Sequence, residues 1–401
     1  MKRLSIGGKH LVHDHKHKKS PKLEAHKVAK LDMIVESPPM LLLGTPQTSQ
    51  GALFSARMRF DVLDPAGITL EKFDARLDIM VNVSKPVEKH CAECSTQVTE
   101  LKKWDFLSQP LKLKHGSENR QFPFSYLLPG HLPATTHGHL AQIEYILSVR
   151  ATTTTGDIIS FKQPIEIKRA VAPGNEKVST RVFPPTNITA HISLDPVIHP
   201  IGDFPVTLRI SGVTTKNEQS QTRWRLRRLL WRIDEHEKMI VPACPKHSAK
   251  LGGEHKGILR EEDPRPIAQE EVKTPWKSDF EAGDIHAEFH AAINTRLKPS
   301  CNVEAENGLG ITHTLVLELV IAEEWAPNKK PNQATPTGAA RVLKTSLQLT
   351  VTERAGLGIS WDEEQPPMYE DVPASPPTYN TIEEFDTNDL EEAPEYSLEQ
   401  Q

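Results

Sequence analysis

Phe54-Ser55-Ala56-Arg57-Met58-Arg59-Phe60-Asp61-Val62, the turn Asp64-Pro65-Ala66-Gly67, and Phe73-Asp74-Ala75-Arg76-Leu77-Asp78-Ile79-Met80-Val81-Asn82-Val83 decide the fold class. Phe54, Ala56, Met58, Phe60 and Val62 fall on one side of a period-2 pattern, and Ser55, Arg57, Arg59 and Asp61 fall on the other. Extended backbone sends successive side chains to opposite faces, so this alternation describes strands with one face in a core and one in water. Ile143, Tyr145, Leu147 and Val149 repeat it, a Gly156-Asp157 turn follows, and Ile165 and Ile167 close the first half.

Val171-Ala172-Pro173-Gly174-Asn175 breaks the pattern and reads as a linker. Alternation then resumes through Ile188 to Leu194, Val206 to Ile210, Ile285 to Ile293, Leu315 to Ile321 and Leu343 to Val351. Helix-period stretches are nearly absent, so the chain is expected to be all-β, with two tandem immunoglobulin-like sandwiches. The expected boundaries are a basic disordered arm over 1–35, sandwiches over 36–172 and 173–354, and an acidic tail over 355–401. Gly252 to Trp276 is charged, Pro-containing and aperiodic, which reads as a long loop at about 242–280 inside the second sandwich.

With 401 residues and 37% hydrophobic content, the chain can fill two cores. Nine Lys and Arg crowd the first thirty positions, whereas none follows Arg354. Such an arm can lie against anionic lipid or nucleic acid or simply be solvated; for the chain as a whole no nucleic-acid partner is expected. The N-terminus lacks the apolar stretch of a signal peptide, and the longest apolar run, Leu315 to Ala322, is short and interrupted by Glu318. Four scattered cysteines do not make a disulfide scaffold. A cytoplasmic chain is expected. No P-loop, nucleophile elbow, dinucleotide fingerprint or His-Glu-x-x-His run occurs, so no enzyme is read here.

The tail carries Pro366-Pro367-Met368-Tyr369 and Pro376-Pro377-Thr378-Tyr379, ten residues apart. Paired prolines pre-set a polyproline II turn, and a tyrosine packed beside them completes a surface that fits an aromatic-lined WW groove.

Tandem β-sandwiches followed by such a tail resemble the α-arrestins. The wording of Leu128 to Arg150, with Lys27 to Pro39, Glu100 to Trp104 and Arg223 to His247, is similar to the fungal arrestin-related trafficking adaptors of the low-dye-binding type. The resemblance implies two arrestin-like domains and a non-enzymatic adaptor. It implies a WW-containing HECT-type ubiquitin ligase bound through Pro366, Pro367, Tyr369, Pro376, Pro377 and Tyr379. The cargo would be plasma-membrane transporters, engaged through their cytosolic tails and sent to endocytosis and vacuolar sorting. Peripheral recruitment to the plasma membrane, Golgi or endosomes goes with that role. The alternative keeps the fold without a ligase, as a retromer-type sorting scaffold.

Three further constellations stand out. Arg223, Arg225 and Arg227 alternate with Trp224 and Leu226, so the row is expected to be exposed on one face, able to meet lipid headgroups or acidic cargo, unless Glu288 or Glu318 pairs with it. Cys91-Ala92-Glu93-Cys94 and Cys244-Pro245-Lys246-His247 together supply three thiolates and an imidazole, a full zinc shell, although they fall in different expected sandwiches. Lys246, Lys250 and Lys256, near Gly252, Gly253 and Gly257, are candidate ubiquitin acceptors. His131, His137 and His139 read as loop residues without assigned chemistry.

Overall fold

The alternating stretches fold as strands in the computed structural model, which describes residues 28–355 apart from 117–119, 254–255, 274 and 307. Ala52–Val62 lies between Ala29–Val35 and Gln121–Leu128 in one sheet. Ile68–Val83 and Ala141–Thr153 centre the facing sheet, flanked by Thr96–Asp105 and Ile158–Ile165. Phe54, Ala56, Met58, Leu77 and Leu147 are wholly buried between them, as their positions in the alternation demand. Phe60 and Phe122 from the first sheet meet Phe73 from the second edge-to-face at 4.8 and 4.9 Å. Such pairs contribute about 0.5–1.5 kcal/mol beyond their buried area.

The second half repeats the arrangement. Thr189–Leu194, Asp203–Ser211 and Asp284–Ala292 run side by side in one sheet, and Ser220–Pro242, Gly310–Pro327 and Thr335–Val351 in the other. Ile192, Leu208, Leu229, Ile233, Leu315, Leu317 and Leu319 fill the space between. Residues 171–175 carry no regular structure apart from a bend.

Ala29–Val35, expected within the disordered arm over 1–35, is instead a strand with Ala29 and Leu31 buried in the first core, and two further features depart from the sequence reading. The segment expected to be a loop holds strands: Gly257–Glu261 and Arg265–Glu271 both pair antiparallel with Ser220–Pro242. Lys277–Asp279 likewise pairs with Asp284–Ala292. Arg265–Glu271 buries Ile267 and Ala268, Gly257–Glu261 half-buries only Ile258 and Arg260, and Lys277–Asp279 is exposed throughout, so charged and exposed positions hide the period. The second departure is the length of Ser220–Pro242, 23 residues. Its C-terminal end leaves the second core, and Met239 and Val241 pack into the first together with Val303, Ala305, Leu309 and Ile311. One strand therefore serves both cores.

Among the described residues the helical segments are Ala92–Ser95, Pro245–Leu251 and Thr295–Leu297, and no helix is long and apolar enough to cross a membrane.

Candidate functional site

Three polar constellations are strung along or just beyond the Ser220–Pro242 strand. At its start, antiparallel register sets Arg223 directly opposite Glu324. Arg223 Nε lies 3.0 Å from Glu324 Oε2, while Arg225 Nε and Arg227 Nη2 lie 2.9 and 3.0 Å from Oε1. Three guanidiniums thus converge on one carboxylate, which is itself buried. Their exposures differ: the side chain of Arg223 is 8% exposed, those of Arg225 and Arg227 41% and 45%. Arg223 also donates to the Pro331 carbonyl and sits 4.4 Å above the Phe280 ring. Arg225 Nε, close as it is to the carboxylate, makes no hydrogen bond. The expectation of a fully exposed row is corrected at Arg223, whose burial between Glu324 and Phe280 makes it structural. The pairing acid is also not an expected one, because register places Glu318 opposite Leu230 and leaves it to Arg232 and Lys344.

Farther along, Glu235 and Glu237 are buried. Glu237 accepts the backbone N–H groups of His139 and Leu140 at 2.7 Å and of Ala141 at 3.3 Å. Gly138 permits this approach, since a Cβ there would stand 2.4 Å from Glu237 Oε1. Glu235 accepts from Arg265 Nη2 at 2.5 Å and from the Ser300 N–H at 2.8 Å, with His313 Nε2 at 3.4 Å. Burial pushes the Glu235 carboxyl up, but His313, the Ser300 N–H and Arg265 together outweigh it and hold the group below the ordinary carboxylate range. Sequence reading passed over both acids. The available signal was two carboxylates at alternate positions in a strand end otherwise bound for a core.

Beyond Pro242 the chain turns into Cys244 and the 3-10 turn Pro245–Leu251, and the first half supplies Cys91 and the helical turn Ala92–Ser95. Here the structure joins what the expected domain boundaries separated. One ligand atom from each of Cys91, Cys94, Cys244 and His247 lies within 4.8 Å of the others. Cys91 Sγ is 3.7 Å from Cys244 Sγ, and His247 Nδ1 is 3.2 Å from Cys244 Sγ and 3.6 Å from Cys94 Sγ. All four cysteines of the chain are free thiols. The Cys94 backbone N–H, more than any other contact, draws the Cys91 thiol down, whereas burial pushes Cys244 up to about 11. The cluster is flanked by ion pairs that also join the two halves, Lys246 with Glu93 and Lys250 with Glu88.

Residues 75–251, which contain both halves of this cluster and the arginine row, match the family model described as LDB19, Arrestin_N terminal like. The chain is 34% identical over 364 residues to an uncharacterized protein of Schizosaccharomyces pombe, covering 90% of this chain and 91% of the relative. A second uncharacterized protein of that yeast is 32% identical, over 87% of this chain and 94% of its own length. Protein LDB19 of Eremothecium gossypii is 24% identical, over 88% of this chain and 82% of the relative. The chain belongs to the LDB19 family of arrestin-like proteins. The alignment with the Eremothecium protein runs to 566 positions, more than this chain contains, so that LDB19 relative carries insertions.

For this family member, each of the three candidate acceptor lysines has a partner, two of them an acid of the first half. Lys246 and Lys250 lie on the Pro245–Leu251 turn and pair with acids of the first half, and Lys256 donates to the Gly252 carbonyl at 3.2 Å. The Pro-Pro-x-Tyr residues, Pro366, Pro367, Tyr369, Pro376, Pro377 and Tyr379, lie outside the described residues.

Proposed function

We propose that this arrestin-related chain is a trafficking adaptor that brings a WW-containing HECT-type ubiquitin ligase to plasma-membrane transporters. The observation that carries the reading is the pair of Pro-Pro-x-Tyr motifs at 366–369 and 376–379 on a chain of the LDB19 arrestin-like family. Each motif offers a preformed polyproline turn and one ring to a WW groove. Ten residues of such chain reach about 31 Å at the polyproline II rise of 3.1 Å, long enough to engage neighbouring WW domains of one ligase. Holding the ligase beside a transporter tail makes ubiquitin transfer effectively intramolecular, so proximity performs the work and the adaptor needs no catalytic group.

The arginine row supplies the surface for cargo or membrane. Arg223 is occupied structurally, but Arg225 and Arg227 remain substantially exposed over a carboxylate shared by three cations. Those four groups sum to a positive surplus suited to an acidic cytosolic tail or an anionic headgroup. The adaptor would then work from the cytoplasm, recruited peripherally to the plasma membrane and to Golgi or endosomes.

The test is co-precipitation of the ligase with the Tyr369→Ala, Tyr379→Ala and doubly substituted chains. Each single change should weaken capture partially by forfeiting the bivalent gain, on the order of 10²-fold or more, and the double change should abolish it. The transporter should then stay at the cell surface. Undiminished ligase capture by the double variant overturns the reading and favours a ligase-independent sorting scaffold.

A further inference from the structure

We propose that Cys91, Cys94, Cys244 and His247 bind one zinc ion, and that this ion clasps the first half of the chain to the second. Zinc in structural sites takes four ligands tetrahedrally, with Zn–S near 2.3 Å and Zn–N near 2.0–2.1 Å, which sets S–S edges of about 3.8 Å and S–N edges of about 3.6 Å. Cys91 Sγ to Cys244 Sγ is 3.7 Å and Cys94 Sγ to His247 Nδ1 is 3.6 Å, so two of the four contacts between the halves match tetrahedral edges; Cys244 Sγ to His247 Nδ1, at 3.2 Å, is tighter, and all four atoms lie within 4.8 Å of one another. A disulfide would need sulfurs about 2.05 Å apart. Three sulfurs and one ring nitrogen make the donor set of a closed structural zinc site rather than that of calcium or magnesium, which take oxygen.

The backbone is arranged for the same end. Each half closes a turn on its first cysteine: the Cys91 carbonyl accepts the Ser95 N–H at 3.0 Å, and the Cys244 carbonyl accepts the His247 N–H at 2.9 Å. The two halves are offset by the same 153 residues at Cys91–Cys244 and at Cys94–His247. Two of the three described helical segments, Ala92–Ser95 and Pro245–Leu251, carry these ligands or abut them. Because all four positions are filled by protein, the ion would leave no open position for substrate, and its role is structural.

Metal analysis of the full chain, purified under reducing conditions without chelator, should find one zinc per chain. Replacement by cobalt should give the visible bands and thiolate charge-transfer absorption of a tetrahedral three-sulfur, one-nitrogen site. The double variant Cys91→Ser, Cys94→Ser should lose both signals, and Cys301→Ser should keep both. If the double variant does not fold, His247→Cys still decides the matter, since it should retain the ion and shift the cobalt spectrum to that of four sulfurs. As a clasp, the ion should raise the melting temperature of the native chain, with stripping by a chelator lowering it by several degrees. Absence of zinc and of any cobalt spectrum from the native chain would overturn the site, as would a Cys91–Cys244 disulfide in the reduced preparation. A cobalt spectrum unchanged by His247→Cys would overturn this ligand set, and a melting temperature indifferent to stripping would overturn the clasp.

Discussion

The two ends of the Ser220–Pro242 strand handle charge in opposite ways. At its start, Arg223, Arg225 and Arg227 crowd one carboxylate, and two of the three remain open to solvent. Toward its end, Glu235 and Glu237 are each buried under a full set of donors, and Glu237 spends its oxygens on three amides of the other half of the chain. A matched buried charge is a fastener: removing one partner strands the rest without water. An oversupplied charge at the surface gains little from its neighbours and keeps its reach for an incoming anion. The same strand thus holds the molecule together at one end and, at the other, leaves two arginines open to solvent on the face proposed above to meet cargo or membrane.

The sharpest way to break this contrast is Glu237→Ala, which leaves three amides beside a core without an acceptor. It should cost about 3–5 kcal/mol, read as a fall in the denaturant midpoint. Gly138→Ala should act through the same contact, because its Cβ would displace the carboxylate, so the double variant should lose much less than the sum of the two. Full additivity would show that Gly138→Ala acts elsewhere, through the Ala141 carbonyl that its Cβ would meet at 2.9 Å.

Glu235→Gln comes next, at about 2–3 kcal/mol near neutral pH, since the amide keeps the shape and loses the charge facing Arg265. Its pH signature is specific. The folded chain holds the Glu235 carboxyl below its ordinary value, so the unfolded chain takes up that proton first as the solution is acidified. This contribution is complete above the unfolded value of about 4.3 and is lost as pH falls through the lower folded value. Glu235→Gln should therefore flatten that part of the stability–pH curve, and a variant with the native acid slope would remove Glu235 from the ledger of fasteners.

Smaller again is Glu324→Gln, which takes the shared anion from three cations and should cost about 1–2 kcal/mol, measured by the same unfolding titration and relieved by added salt. At the small end stands the joint change of Arg225 and Arg227 to Gln. Folding stability should move by less than about 1 kcal/mol, as for exposed ion pairs. Binding to vesicles rich in anionic lipid, or to an acidic tail peptide, should fall by roughly thirty-fold at low salt, at about 1 kcal/mol per charge. Unfolding of this variant would mean that the exposed arginines are fasteners too.

Much of the framework was legible because period-2 alternation survives wherever one face is buried: residues 54 to 62, 143 to 149, 285 to 293 and 343 to 351 all lie in or at the ends of strands whose apolar positions face a core. What escaped was set by neighbours in space. Gly257–Glu261 and Arg265–Glu271 owe their strand state to the Ser220–Pro242 strand they pair with, and their own charged composition argues for a loop. The register shift between Leu226 and Arg228 and the choice of Glu324 over Glu318 depend on cross-strand alignment, which no local pattern encodes. The ligand spacings within Cys91-x-x-Cys94 and Cys244-x-x-His247 were readable, whereas their meeting was not. It follows from a strand long enough to leave its own sandwich and deliver Cys244 beside Cys94.

That long strand also imposes an order on synthesis. The first core needs Met239 and Val241, and its last contributors, Val303 through Ile311, come later still. A ribosome adding about 5–20 residues per second makes the interval from Ile167 to Ile311 last on the order of ten seconds. Through that interval the nascent first half has emerged with part of its apolar interior still open. Apolar surface open for that long is exposed to aggregation until the second half arrives to close it.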